Sequence, residues 1–188
     1  MPRRHPALIA VDSVSSLALE RAARAALASL DRSTRSGISQ WDASGLFGEL
    51  AVADVSAGRP SARTLLLLYA ADLVFRVRWE IGPALKAGHS VVAAPYIETA
   101  IAFGRAAGLK SSWLRNLFGF APAPAQRCFV EPARTRRAHT GNGFVEFGRD
   151  RVFGLGGRTT RPDIVDRTAA YLRAAARRSR VKMIKVRV

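Results

Sequence analysis

The chain is short of acid. Fourteen Asp+Glu stand against 30 Lys+Arg, a formal net charge of +16 with a pI of 11.6. The imbalance is lopsided: from Arg127 to Val188, 16 basic residues face 5 acidic ones. A field of that size favours anionic partners such as nucleotides, nucleic acid, acidic proteins or lipid headgroups. Arginine-heavy, alanine-heavy usage is equally what GC-rich coding leaves on a solvated surface, with no partner required. The basic residues form no known nucleic-acid-reading module, and Trp41, Trp79 and Trp113 are too scattered for a base-stacking platform.

Other absences narrow the class further. A single cysteine, Cys128, rules out an intrachain disulfide and fits a reducing, cytoplasmic setting. It sits in an apolar run and is expected as a small core residue. The three histidines, His5, His89 and His139, lie far apart without metal-ligand spacing, so no metal site is expected. Long hydrophobic runs are missing too. The longest apolar block, Leu65 to Ala71, is far below a membrane span, and Asp12 interrupts the early apolar run before it could act as a secretory signal.

What remains is a globular composition, 48% hydrophobic and 23% charged, over 188 residues, which suits one domain, 1–188. No internal repeat is visible. Short β-branched runs alternate with helical patterns. Leu8–Val11 reads as a buried strand and Leu17–Leu30 as a helix with Leu19, Ala22, Ala23, Ala26 and Leu27 on one face. A short strand fits around Gly37–Trp41, and a helix over Leu46–Val55. Leu65–Ala87 is helical in pattern, with Pro83 expected to distort or restart it. Ser90–Ala94 reads as a strand and Ile97–Ala107 as a helix. The next helix should be capped by Ser111 or Ser112. Arg127–Glu131 is a further strand. Asn142 and Gly143 suggest a small hairpin, and Gly154–Gly157 a flexible loop rather than a dinucleotide motif. Asp163–Arg178 is an amphipathic helix, and Val181–Val188 alternates as a closing strand. Strand–helix units in this order argue for an α/β sheet with helices on both faces.

Three stretches resemble the thymidylate kinases, a family of P-loop nucleoside monophosphate kinases. The segment "LLLLYAADLVFRVRWEIGPALKAGHSVVAAPYIETAIAFG" is similar to that family's long helix, strand and following helix. "WLRNLFGFAPAPAQRCFVEP" resembles its W-L-x-x-L element, proline-bearing turn and next strand, and "RPDIVDRTAAYLRAAARRSRVKMIKVRV" its closing helix and strand. The resemblance implies a P-loop NTPase-like three-layer α/β fold with a parallel five-stranded sheet, ATP at the first loop, a lid-like insertion at about 133–161, and a homodimer.

The family's chemical positions are emptied in this chain. Its phosphate loop is G-x-x-x-x-G-K-[ST], in which glycines wrap the phosphates, lysine neutralises them and the hydroxyl binds Mg²⁺. Laid on this sequence, the glycines fall at Ser13 and Ala18, the lysine at Leu19 and the hydroxyl at Glu20, with Ser15 and Ser16 inside the loop. No base for a serine nucleophile at Ser15 or Ser16 is visible. The strand-end D-R-Y becomes Ala94, Pro95 and Tyr96, and A-A-D-R becomes Ala70, Ala71, Asp72 and Leu73. Phe103 replaces a tyrosine. Asp72, Arg76, Tyr96 and Phe103 are the substrate-pocket candidates. Arg78 and Arg105, or the lid arginines Arg134, Arg136 and Arg137, are candidates for a relocated cationic site.

The expectation is therefore a kinase-like fold without efficient phosphoryl transfer, binding a nucleotide, another anion or a protein partner. Two alternatives stand beside it. One is a divergent, active dTMP kinase using Mg-ATP and the lid arginines. The other is a nucleic-acid-binding protein using the basic C-terminal third.

Overall fold

A computed structural model of the chain describes residues 6–52, 60–132, 143–151, 164–181 and 183–186. Five strands, β1 (Leu8–Ser13), β2 (Arg35–Gln40), β3 (Ser90–Ala94), β4 (Gln126–Pro132) and β5 (Ile184–Val186), form one parallel sheet in the order β2-β3-β1-β4-β5. Ile9 pairs with Val92 on one side, and Val11 with Cys128 on the other. β1 and β3 are buried along their whole length, which is why they read as continuous apolar runs.

Alternation along the central strands supplies two cores. Ile9, Val11, Val92 and Val130 face α1 (Ser16–Ala28), which lays Ala18, Leu19, Ala22 and Ala23 against them. Leu8, Ala10, Val91 and Phe129 face the larger core, shared with α3 (Ala62–Arg76), α5 (Ile97–Ala106) and α8 (Ile164–Arg178). Cys128 lies in the first core as expected, and burial pushes its thiol pKa up.

The remaining elements are short. α2 (Leu46–Val52) follows β2, and α6 (Ser111–Leu117) follows α5. The long apolar helix does restart at Pro83: α3 passes through a π-helical segment, Val77–Ile81, into α4 (Gly82–Lys86), with Pro83 in its first turn. Proline has no N–H for the preceding turn, and a widened turn is a common way to absorb that loss.

Two expectations are corrected. α6 starts at Ser111 itself, and its N-cap is Lys110 with no side-chain cap bond, so neither serine caps it. The hairpin expected around Asn142 and Gly143 gives way to a helix, α7 (Phe144–Arg151), which begins directly after Gly143. The reason is packing: Phe144 and Phe147, three residues apart, share a helical face turned to the larger core. Asn142, the lid arginines Arg134, Arg136 and Arg137, and Gly154–Gly157 lie outside the described residues.

Candidate functional site

β1 carries the chain to the C-terminal edge of the sheet, the edge at which open α/β folds bind ligands. The connection to α1 is minimal. β1 ends at Ser13, α1 begins at Ser16, and only Val14 and Ser15 lie between. Ser15 is the N-cap, its Oγ accepting from the Ala18 N–H at 3.3 Å, while Ser13 Oγ accepts from the Ser15 N–H at 3.2 Å. Residues 16–20 are thus helical. Leu19 packs in the α1 core, and Glu20 is exposed and paired with Arg24 at 2.5 Å.

A carboxylate from a distant element sits at this helix end. Glu146 of α7 is buried, and its Oε1 accepts the Ser16 N–H at 3.2 Å. A negative group at a helix N-terminus satisfies a free N–H and complements the helix dipole. Gly143 makes the approach feasible. A Cβ there would lie 2.5 Å from Glu146 Oε2 and 3.0 Å from Ser16 Cβ.

Asp12, just before Ser13, also serves a helix end. Its Oδ1 accepts from the Tyr96 N–H at 3.0 Å, the Thr99 N–H at 2.9 Å and Thr99 Oγ1 at 2.8 Å. α5, whose N-cap Tyr96 makes no side-chain cap bond, is therefore capped from β1. Burial, opposed by those hydrogen bonds and reinforced by nearby Glu98, raises the Asp12 pKa to about 6. The native state then holds this proton more tightly than the unfolded chain, whose carboxyl titrates near 3.8. Its stabilising contribution is fully present below about pH 4, is lost as pH rises to about 6, and amounts to about 3 kcal/mol. Asp12→Asn should flatten this loss: urea midpoints of variant and parent at pH 4, 5, 6 and 7 should converge at the acid end and diverge above it. Parallel curves would show that burial costs the carboxylate nothing.

The pocket candidates fall into two groups. Asp72 and Arg76 are fully buried under the sheet edge. Asp72 accepts from the Asp42 and Ser44 N–H groups and from Ser44 Oγ, fixing the turn after β2. Arg76 donates through Nε to Ser39 Oγ at 2.9 Å, through Nη2 to the Ser39 carbonyl at 2.7 Å, and through Nη1 and Nη2 to the Pro95 carbonyl at 3.1 Å each. The pair thus fastens the ends of β2 and β3 to α3. Tyr96 and Phe103 are core aromatics, with Tyr96 Oη donating to the Pro122 carbonyl at 2.7 Å. Arg78 and Arg105 lie over the rings of Trp79 and Tyr171.

Above Phe103, α7 fills the space between α3, α5 and the turn after β2. The Phe144 ring meets Tyr69 at 4.6 Å, Phe103 at 5.2 Å, Phe47 at 5.8 Å and Trp41 at 6.0 Å between centroids. Phe147 adds contacts to Phe47 and Trp41. Gly148 permits the close seat, since a Cβ there would lie 2.6 Å from the Phe103 ring. One helix therefore brings an acid to the α1 N-terminus and two aromatic rings to the cleft beside it.

Sequence reasoning missed both Asp12 and Glu146. Asp12 carries the visible signal of an acid inside a buried apolar strand. Glu146 is legible only once "FVEF" is taken as a helical turn. Among the described residues, no group of three His, Cys, Asp or Glu side chains is placed to hold a metal. No helix among them is long and apolar enough to cross a membrane.

Comparison with known proteins bears on the architecture. No protein-family model matches the chain. A protein of Pyrococcus abyssi described as "Probable thymidylate kinase" is 36% identical over 70 residues, 37% of this chain and 34% of that protein. The chain thus matches about a third of the length of this curated relative. A solved thymidylate kinase from Ehrlichia chaffeensis superimposes with a TM-score of 0.67 at 12% identity, over 98% of this chain and 88% of the other. With its parallel five-stranded sheet flanked by helices, the chain has the P-loop-type α/β fold of a thymidylate kinase.

Proposed function

We propose that this chain is a thymidylate kinase-like protein that no longer transfers phosphate and works by binding. The observation that carries this reading is the β1–α1 connection. A phosphate loop needs a run of free backbone N–H groups between strand and helix, with a lysine and a hydroxyl at its end. Here the helix starts three residues ahead of the lysine-equivalent Leu19, and Ser15 and Glu146 take up N–H groups of its first turn. Mg-ATP does not fit these residues. A phosphate laid over the α1 N-terminus would meet a carboxylate, and Glu20 points its charge to Arg24. The ligands this reading leaves are an anion or a protein partner met on the basic surface, where Arg177, Arg178 and Arg180 are exposed.

Calorimetric titration with Mg-ATP, run beside a coupled dTMP phosphorylation assay, tests the proposal. We expect no saturable heat up to about 1 mM ATP, an affinity weaker than about −4 kcal/mol. Turnover should be at least about 10⁴-fold below the ordinary enzymatic range, because each lost cation costs about 10²-fold or more. Turnover of about 1 s⁻¹ or faster would sink the reading. If that activity were then lost in the combined Arg134→Ala, Arg136→Ala, Arg137→Ala variant, the chain would be a divergent kinase using lid arginines.

A further inference from the structure

The edge of the sheet farthest from β5 holds a second feature, separate from the loop and from α7. β2 is an edge strand, and its pairing with β3 shifts register between Arg35 and Ile38. Such bulges bend an edge strand and open local space. Between this bulge and the π-helical segment lies a cavity of about 460 Å³, lined in part by Gly37, Ile38, Trp79, Glu80, Pro83 and Val91. That volume is in the range of small-molecule sites, about 300–1,000 Å³.

Its walls are mixed: Ser36 and Ser39 stand beside the apolar residues, and Glu80 supplies a carboxylate. Glu80 Oε2 is buried and has no hydrogen-bond partner among the described residues. In this arginine-rich chain Glu20, Asp72, Glu98 and Glu131 each have an arginine within 4.0 Å, whereas no arginine or lysine is paired with Glu80 among those residues. A buried acceptor left without a donor is costly, and it marks a place where a donor is missing. Glu80 lines the cavity, and its side chain must turn outward to bring the closed-off Oε2 to a ligand there. Beside it Trp79 is 62% exposed, and the Arg78 guanidinium already rests 5.3 Å above its ring. An indole that accepts one cation can accept another on its free surface.

We propose that this cavity binds a small organic ammonium: a primary amine, charged at neutral pH, carried on an apolar or aromatic body. The ammonium donates to Glu80, and the body packs on Trp79, Ile38 and Pro83. A neutral apolar ligand would leave the carboxylate without a donor, and an anion would be repelled by it. The net charge of +16 opposes any cation at long range, but about 0.15 M salt screens that field beyond about 8 Å.

The test is a titration at that ionic strength with benzylamine as probe and benzyl alcohol as its neutral counterpart, followed by amide chemical shifts. Glu80→Gln keeps the shape and removes the charge. Gly37→Leu fills the cavity, since a Cβ at Gly37 meets nothing within 4 Å. Benzylamine should saturate, with shifts centred on β2 and the π-helical segment. The alcohol and the Glu80→Gln variant should each weaken binding about tenfold or more. Gly37→Leu should abolish it. The melting temperature of Glu80→Gln should equal or exceed the parent's, which confirms a folded variant and an acid with no structural counter-charge. The proposal is overturned if benzylamine does not saturate below about 10 mM, an affinity of less than about −3 kcal/mol. Equal binding by the alcohol, or by Glu80→Gln, overturns it as well.

Discussion

Arg76→Met should lower the unfolding free energy by about 3–5 kcal/mol, read from urea denaturation at neutral pH. Methionine fills much of the same volume, so the loss measures polar pairing rather than a void. In the native protein the guanidinium has four hydrogen bonds, to Ser39 Oγ, to the Ser39 carbonyl and twice to the Pro95 carbonyl, and lies 4.0 Å from Asp72. Removing it takes the guanidinium donors from Ser39 Oγ and the Ser39 carbonyl, leaves the Pro95 carbonyl with the Tyr69 hydroxyl alone, and deprives the Asp72 carboxylate, itself fully buried, of its positive neighbour. Breaking one side of such a pair costs far more than never having built it. The Arg76→Met, Asp72→Asn double variant should therefore lose less than the sum of the two single changes, because the second removes the charge the first exposed. A loss under about 1 kcal/mol for Arg76→Met would mean that water reaches the pair and that Arg76 is a surface-type arginine after all.

That result bears on how arginines are read from sequence. In a chain with 30 basic residues, a solvated surface is a sound expectation for any one of them. Arg76 departs from it, and the mark is its position four residues after Asp72 on a helix whose neighbours Leu65, Leu66, Tyr69 and Leu73 are all buried. An acid and a base one turn apart on the apolar face of a helix cannot both be solvated. The strands were easier to read. A parallel sheet covered on both faces needs unbroken apolar strands, and Leu8–Val11 and Val91–Ala94 are such runs. The order of elements and the restart at Pro83 were legible for the same reason, since each is set by local composition; the kinase-like architecture was implied by the family resemblance of three longer stretches.

The candidate site was legible only in part. That Ser13, Ala18, Leu19 and Glu20 stand where the family's motif has its glycines, lysine and hydroxyl can be read position by position. The two-residue connection cannot, because the family's motif laid on the sequence spans residues 13–20, whereas Ser13 ends β1, Val14 and Ser15 link, and residues 16–20 are helical. Nor could the sequence place α7. "GNGFVEF" offers a turn dipeptide followed by apparent alternation, which is the local grammar of a hairpin. The helical solution wins because Phe144 and Phe147 on one face bury together against Trp41, Phe47, Tyr69 and Phe103, a gain that only tertiary structure supplies.

Phe144→Ala should therefore be among the most destabilising single truncations, at about 3–5 kcal/mol. Phe144 is 1% exposed and touches four aromatic rings at centroid distances of 4.6–6.0 Å. Its loss removes both the transfer free energy of a large side chain and aromatic contacts, three edge-to-face and one tilted, worth about 0.5–1.5 kcal/mol each. The effect should also reach the α1 N-terminus. α7 holds Glu146 over Ser16, so loosening its aromatic anchor should raise the hydrogen-exchange rate of the Ser16 amide more than those of Ala22 or Ala23, deeper in α1. A helix merely resting on the surface would give a loss under about 1 kcal/mol and leave Ser16 exchange unchanged. If instead the variant stays folded and begins to bind Mg-ATP, α7 would be a removable stopper and the closed phosphate site a latent one. If it stays silent toward ATP while Ser16 exchanges freely, the two-residue connection itself forbids a phosphate loop. The proposed inability to transfer phosphate would then be written into the backbone, beyond the reach of any movement of α7.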